Sequence, residues 1–141
     1  MIIKQTDSIY LEQIQFVNSE IGWICGEKGK VIKTSDCGKT WSDVSIKNKN
    51  LLLYGMCFLN DSIGYLSGAV LNENKLDPKV YLTIDGGSSW SEVYNDIPKM
   101  ILNLEKKDNG LFATGTGFII RIDLETKQWE YVLKDTTRTI G

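Results

Sequence analysis

The chain has no histidine among its 141 residues, and its only arginines are Arg121 and Arg138. Histidine-dependent nucleophilic and acid–base schemes are excluded by composition, and bidentate phosphate clamps are scarce. Three cysteines, Cys25, Cys37 and Cys57, show no CxxC spacing. Without histidine they do not suggest a zinc site, so neither a metal nor a cofactor is expected. Cys25 and Cys57 read as small apolar residues packed inside sheets. A charge of one sign is also lacking: 16 Lys and Arg against 18 Asp and Glu leave a net −2. That gives no whole-chain drive toward nucleic acid or an anionic membrane. Lys28, Lys30, Lys33, Lys39, Lys47 and Lys49 form a mildly basic stretch, read as solvated surface. No run approaches membrane-spanning length, and the first seven residues lack the apolar h-region of a signal peptide. With the reduced cysteines, this favours the cytoplasm over a secreted or periplasmic location.

What the chain does have is an echo. Thr34-Ser-Asp36-Cys-Gly38-Lys-Thr40-Trp41 returns as Thr83-Ile-Asp85-Gly-Gly87-Ser-Ser89-Trp90. Upstream, Phe16, Gly22, Trp23 and Gly26 are matched at one constant offset by Phe58, Gly64, Tyr65 and Gly68. A third copy is decayed. Leu104 stands for Phe16, Gly110–Ala113 for Gly22–Cys25, Gly117–Arg121 for Gly29–Lys33, and Trp129 for Trp41, while Ile122, Leu124 and Thr126 replace the turn residues. A period of this length signals a repeat architecture. Each unit reads as four short strands, because runs such as Lys30–Thr34, Lys79–Thr83 and Phe118–Ile122 are β-branched or aromatic and turn residues separate them. No stretch sustains a helical period. The expected fold is all-β: three four-stranded antiparallel propeller blades over residues 8–47, 50–96 and 99–135, with residues 1–7 as an outer closing strand.

The repeated turn has a physical demand. The Asp36 and Asp85 carboxylates are placed to accept hydrogen bonds from backbone amides just ahead. Gly38 and Gly87 supply positive φ. Thr34 and Thr83 bridge the strand end, and Trp41 and Trp90 put a large ring between sheets, worth on the order of 3 kcal/mol or more against truncation. A reaction needs one centre, not a copy per blade, so these eight residues read as structural and no catalytic residue is assigned.

The pattern Ser/Thr-x-Asp-x-Gly-x-x-Trp resembles the Asp-box, or BNR, repeat. With the preceding Phe…Gly-Trp…Gly it is most similar to the photosystem II stability/assembly factor family of propellers, over nearly the whole chain. Asp-boxes also occur in sialidases, other glycoside hydrolases and sortilin-type receptors, so the resemblance implies a propeller more strongly than a function. It also implies that the box lies on the face away from the ligand site. A sialidase-like site would resemble a cluster of three arginines, which this chain cannot supply alone.

Rings typically hold 4–8 blades, so three units leave the outer faces of the first and third bare. The expectation is a homo-oligomer, two chains making six blades, with a piece of a longer protein as the alternative. Function is expected in loops on the rigid frame. The second unit is longer than the first by Asn72–Pro78, between its second and third strands. That excess supplies Asn72, Asn74 and Asp77 to a candidate binding rim with Glu27, Lys28, Lys47, Lys49 and Asn95. The functional expectation is a non-catalytic binding or scaffold module for a protein or peptide, possibilities outside that class being a glycan-binding lectin or a glycoside hydrolase fragment.

Overall fold

The structure, a computed structural model, describes residues 8–134. The closing strand expected over residues 1–7, the end of the third blade at residue 135 and Arg138 lie outside the described residues.

Twelve strands form three four-stranded antiparallel sheets, each in sequence order. The first blade is β1 (Leu11–Phe16), β2 (Gly22–Gly26), β3 (Val31–Thr34) and β4 (Ser42–Asp43). The second is β5 (Leu51–Phe58), β6 (Gly64–Asn72), β7 (Lys75–Thr83) and β8 (Ser91–Val93). The third is β9 (Asn103–Lys107), β10 (Gly110–Gly115), β11 (Phe118–Asp123) and β12 (Trp129–Lys134). The first strands β1, β5 and β9 lie against one another in succession, so they form the inner edge of an arc of blades. This is the propeller architecture expected from the repeat.

Burial on both faces of the middle blade explains why its apolar residues do not alternate cleanly. One core lies between the first and second blades and is aromatic. The Trp23 ring stacks on Phe58 at 3.5 Å between centroids, Phe58 meets Trp90 edge-on at 6.1 Å, and Met56, Leu66 and Tyr81 fill the rest. The Gln15 amide completes this junction: its Oε1 accepts from the Phe58 N–H at 2.7 Å and its Nε2 donates to the Phe58 carbonyl at 3.0 Å. The other core, between the second and third blades, is mainly aliphatic, with Leu104, Leu111, Ala113, Ile120 and Ile122 against Tyr65 and Val80.

Strand pairing corrects the alignment of the third copy. Gly22 pairs with Thr34 and Phe16, and Gly64 with Thr83 and Phe58. In the third blade the residue paired with Ile122 is Leu111, and its other partner is Lys106. Leu111 therefore occupies the Gly22 position and Lys106 the Phe16 position, with Leu104 in the place of Ile14 and Met56. The cause is steric. A Cβ on Gly22 would sit 2.7 Å from the Phe16 ring, so the glycine exists to let the phenylalanine lie across it. Once the phenylalanine is replaced, the glycine is unnecessary and a leucine fills the core.

The inserted segment is a second correction. Asn72–Pro78 is not a loop but the extension of β6 and β7 into a longer hairpin, paired through Asn72↔Lys75. Glu73 and Asn74 both have positive φ, 51° and 66°, as a two-residue type I′ turn requires. The alternation Leu71-Asn-Glu-Asn-Lys-Leu76 keeps strand spacing on both sides of that turn.

Candidate functional site

The arc has two chemically different ends. At one end lie the turns between the third and fourth strands. Thr34 Oγ1 donates to Asp36 Oδ1 at 2.8 Å and accepts from the Gly38 N–H at 2.9 Å. Asp36 in turn accepts from the Thr40 N–H at 2.8 Å and the Thr40 hydroxyl at 2.5 Å. The second blade repeats this with Thr83, Asp85, Gly87 and Ser89 at nearly the same distances. The Thr40 hydroxyl and amide hold the Asp36 carboxyl at about 2, and Ser89 does the same for Asp85. These carboxylates are stabilised as anions and saturated with local donors, the opposite of a proton donor poised near neutral pH. The tryptophans tie blades together: Trp90 Nε1 donates to the Val44 carbonyl of the blade before it, and Trp23 Nε1 to the Gly86 carbonyl of the blade after it.

Three turn anchors have weaker sequence signals. Asn18 Oδ1 accepts from the Glu20 and Ile21 amides, and Asn60 Oδ1 from those of Ser62 and Ile63, each at 2.8 Å. Their constant offset within the repeat was the available signal. In the third blade Asp123 replaces the box, accepting from the Glu125 and Thr126 amides at 2.9 and 3.0 Å. Those amides, Thr126 first, lower its pKa. It stands one position past the strand residue that aligns with Thr34, so a search for the box pattern passes over it.

At the opposite end lie the turns between second and third strands and the connections between blades. Lys28 and Gly29, with φ of 62° and 69°, make the first turn. The Gly29 N–H donates to the Leu51 carbonyl and its carbonyl accepts from the Ile46 N–H, both at 2.9 Å. The Asn50 carbonyl then accepts from the Leu71 N–H at 2.9 Å. This backbone chain brings Lys28, Lys47, Lys49 and the hairpin carrying Asn72, Asn74 and Asp77 to one rim, all exposed. Glu27 is beside them but committed: its Oε1 accepts from the Tyr10 N–H at 3.1 Å. Asp77 is partly engaged by Lys79 at 3.7 Å. Asn95 is exposed in the next connection, where Ile97 and Ile101, which sequence reasoning passed over, plug the aliphatic core. The hairpin tip also presents a cross-strand pair of exposed leucines, Leu71 and Leu76. On the inner edge, Gln13 Nε2 donates to Asn103 Oδ1 at 3.0 Å, spanning from the first blade to the third.

Among the described residues no group of three His, Cys, Asp or Glu side chains is placed to hold a metal ion. The cysteines are unpaired, with Cys25 and Cys57 buried and Cys37 exposed. Burial pushes the Cys25 thiol up to about 12 and raises that of Cys57 as well, so both are unreactive as nucleophiles.

Sheets radiating from an inner edge, with box turns at one end and open connections at the other, define a BNR-type β-propeller. The family described as Photosynthesis system II assembly factor YCF48 matches residues 2–141, and the chain belongs to it. It is 31% identical over 115 residues to the Photosystem II assembly lipoprotein Ycf48 of Synechococcus sp. (strain CC9902), covering 82% of this chain and 32% of that protein. Among solved structures it is similar to YCF48 from Cyanidioschyzon merolae, with a TM-score of 0.74 at 21% identity, over 98% of this chain and 46% of that one. It is similar also to YCF48 bound to D1 peptide, with a TM-score of 0.70 at 21% identity, over 92% and 42% of the two chains. A Niastella koreensis GH74 enzyme shares the fold more distantly, with a TM-score of 0.61 at 19% identity over 20% of its length. The chain thus spans about a third to a half of the length of these YCF48 relatives.

The expectation of a cytoplasmic location is overturned, because the curated relative is a lipoprotein. The argument from cysteines fails for a physical reason. Cys25 and Cys57 are sealed in separate cores and Cys37 sits on a turn, so their unpaired state follows from the fold and carries no information about compartment.

Proposed function

We propose that this chain is a non-catalytic propeller module that binds a protein or peptide segment, in the manner of an assembly factor, through the rim opposite its Asp-box turns. The observation that carries this reading is family membership, together with the fact that a related YCF48 has been solved bound to D1 peptide. The rim offers the chemistry such a ligand needs. Lys28, Lys47 and Lys49 meet acidic or carbonyl groups, Asn72, Asn74 and Asn95 supply donors and acceptors, and Leu71 with Leu76 gives an apolar contact. Glu27 shapes the rim by fixing the chain at Tyr10. The Asp-box carboxylates, each occupied by its own turn, favour binding over catalysis.

Calorimetric titration with a synthetic D1 peptide tests the proposal. Saturable binding is expected, weakened several-fold by Leu71→Ser/Leu76→Ser or by Lys47→Glu/Lys49→Glu, with the melting temperature unchanged. Turnover in a panel of fluorogenic glycosides, or peptide affinity indifferent to every rim substitution, would overturn it.

A further inference from the structure

The long hairpin of the middle blade carries an open strand edge, and the pairing order shows where. Asn72 and Lys75 close a two-residue turn, so they exchange both main-chain hydrogen bonds. The next pair, Leu71 and Leu76, therefore turns its N–H and C=O groups away from one another. The Leu71 N–H follows this alternation, donating to the Asn50 carbonyl on the far side. The Leu76 N–H and carbonyl thus face the outer edge of β7, and two residues further on so does the Pro78 carbonyl. The fourth strand β8 covers that edge only from Val80 to Leu82. Its chain then turns off at Tyr94, whose φ is 53°.

The first blade closes the same edge with its own chain. There the Val31 carbonyl accepts from the Val44 N–H, the Val31 N–H donates to Ser45 Oγ, and the Gly29 carbonyl accepts from the Ile46 N–H. In the second blade β7 runs on from Val80 back to Lys75 with no strand beside it, and Leu76 is 42% exposed. The two faces of this edge differ, because side chains alternate along a strand. Leu76 and Pro78 share a face with Leu71, in line with Val80 in the core toward the third blade. Lys75, Asp77 and Lys79 share the other, in line with Tyr81 in the core toward the first. Lys79 Nζ is engaged by Glu92 at 3.1 Å and Asp77 at 3.7 Å, whereas Lys75 is in no ion pair among the described residues.

We propose that the outer edge of β7 from Lys75 to Pro78 takes an extended peptide as an added strand, antiparallel to β7 and in line with β8. This rests on the peptide-binding reading above and gives that rim its mode of binding. The ligand residue opposite Leu76 exchanges two main-chain hydrogen bonds with it, and the residue opposite Pro78 donates one to its carbonyl. Both of these ligand side chains lie on the leucine face and are apolar. The residue opposite Lys75 is acidic, as a cross-strand charge pair requires. Read from its N-terminus, the ligand is apolar–x–apolar–acidic. A second copy of the hairpin does not fit, because pairing Leu76 with Leu76 sets Pro78 against Asn74 in the turn. The same proline offers the edge no N–H, which keeps the added strand short.

Amide hydrogen exchange of the isotope-labelled chain, read by NMR, is the test, with a D1 peptide and acetyl-Val-Thr-Leu-Glu-Thr-amide as probes. In the free chain the Leu76 amide should exchange freely and that of Leu71 slowly. At saturation either peptide should slow Leu76 by about tenfold and leave Leu71 as it was. Leu76→Pro removes the edge donor but no bond of the β6–β7 ladder. It should weaken the designed peptide several-fold more than Leu76→Ala, which keeps the donor. A peptide bound at the rim with the Leu76 amide still exchanging freely, or equal affinity in the two variants, overturns the added strand and leaves the rim reading in place. If only the designed peptide binds and protects Leu76, the added strand stands and the D1 reading falls. Binding by neither overturns both. Protection of Leu76 before any peptide is added gives the edge to a second copy and overturns the proposal.

Discussion

The first two blades and the third solve the same problem with different atoms. In the first two, Phe16 and Phe58 lie across Gly22 and Gly64, and the outer turn is tied by a Thr–Asp pair. In the third, Lys106 and Leu111 replace the ring and the glycine, and Asp123, with the Thr126 hydroxyl accepting from the Gln128 N–H, ties the turn. The strand pairing and the burial between blades survive both changes. What the fold requires is therefore a filled space between sheets and satisfied amides at each turn, not a fixed set of residues. The box blades achieve this with coupled residues, so losing one member strands the others. Among the described residues, the third blade has no Thr–Asp hydrogen bond of this kind in its turn, and its core position is filled by the Ile122 side chain, which makes none.

The largest effect should fall on the aromatic junction. Trp23→Ala removes the ring stacked on Phe58 and is expected to cost about 3–5 kcal/mol in chemical denaturation; a loss below that of an ordinary aliphatic truncation would mean the stack is not central. Next comes the hydroxyl at the heart of the box. Thr83 is 1% exposed and its Oγ1 accepts from the Gly87 N–H, so Thr83→Val leaves a buried amide unpaired at about 1–3 kcal/mol. The aligned change in the third blade, Ile122→Val, breaks no hydrogen bond and should cost about 0.5–1.5 kcal/mol. Equal costs at the two sites would erase the distinction between the hydrogen-bonded and the apolar position.

Acid should act on the boxes in a defined window. Asp36 and Asp85 are held at about 2 in the folded chain against an ordinary 3.8, so the unfolded chain takes up protons first as pH falls. Their contribution is fully present above the ordinary value and is lost as pH drops through the folded one. Wild-type stability should decline between these values. An Asp36→Asn/Asp85→Asn variant should be less stable at neutral pH and show a shallower acid decline; matching slopes would contradict the account. The smallest effect is a gain. Cys37 has φ of 67° where the second blade has Gly86 at 70°, so Cys37→Gly should raise stability by about 1 kcal/mol, read as a higher denaturation midpoint.

Much of this was legible because repetition amplifies weak signals. One Asp–Gly–Trp turn is a chance pattern, whereas two at a fixed offset point to blades, to strand order and to the local amides that Asp36 and Asp85 accept from. The third copy defeated alignment because its landmark, Gly110, does not lie under a phenylalanine: the side chain nearest a Cβ there would be that of Arg121. Pairing partners, which a single sequence does not display, were needed to place Leu111. The hairpin over 71–76 is hard to tell from a loop in the sequence because asparagine, a loop residue, also suits the left-handed turn of a strand pair, here Glu73 and Asn74. The rim positions followed from topology once the blades were placed, but the leucine pair at the tip did not, since exposed leucines look like core in a sequence.

In the proposed function the box turns hold the blades and the opposite rim meets the ligand. Amide chemical-shift mapping during titration with a D1 peptide separates the two ends. Perturbations concentrated in residues 27–30, 46–50, 71–77 and 94–96, with 34–41 and 83–90 unmoved, are the expected result. Perturbations centred on Asp36 and Asp85 would contradict it.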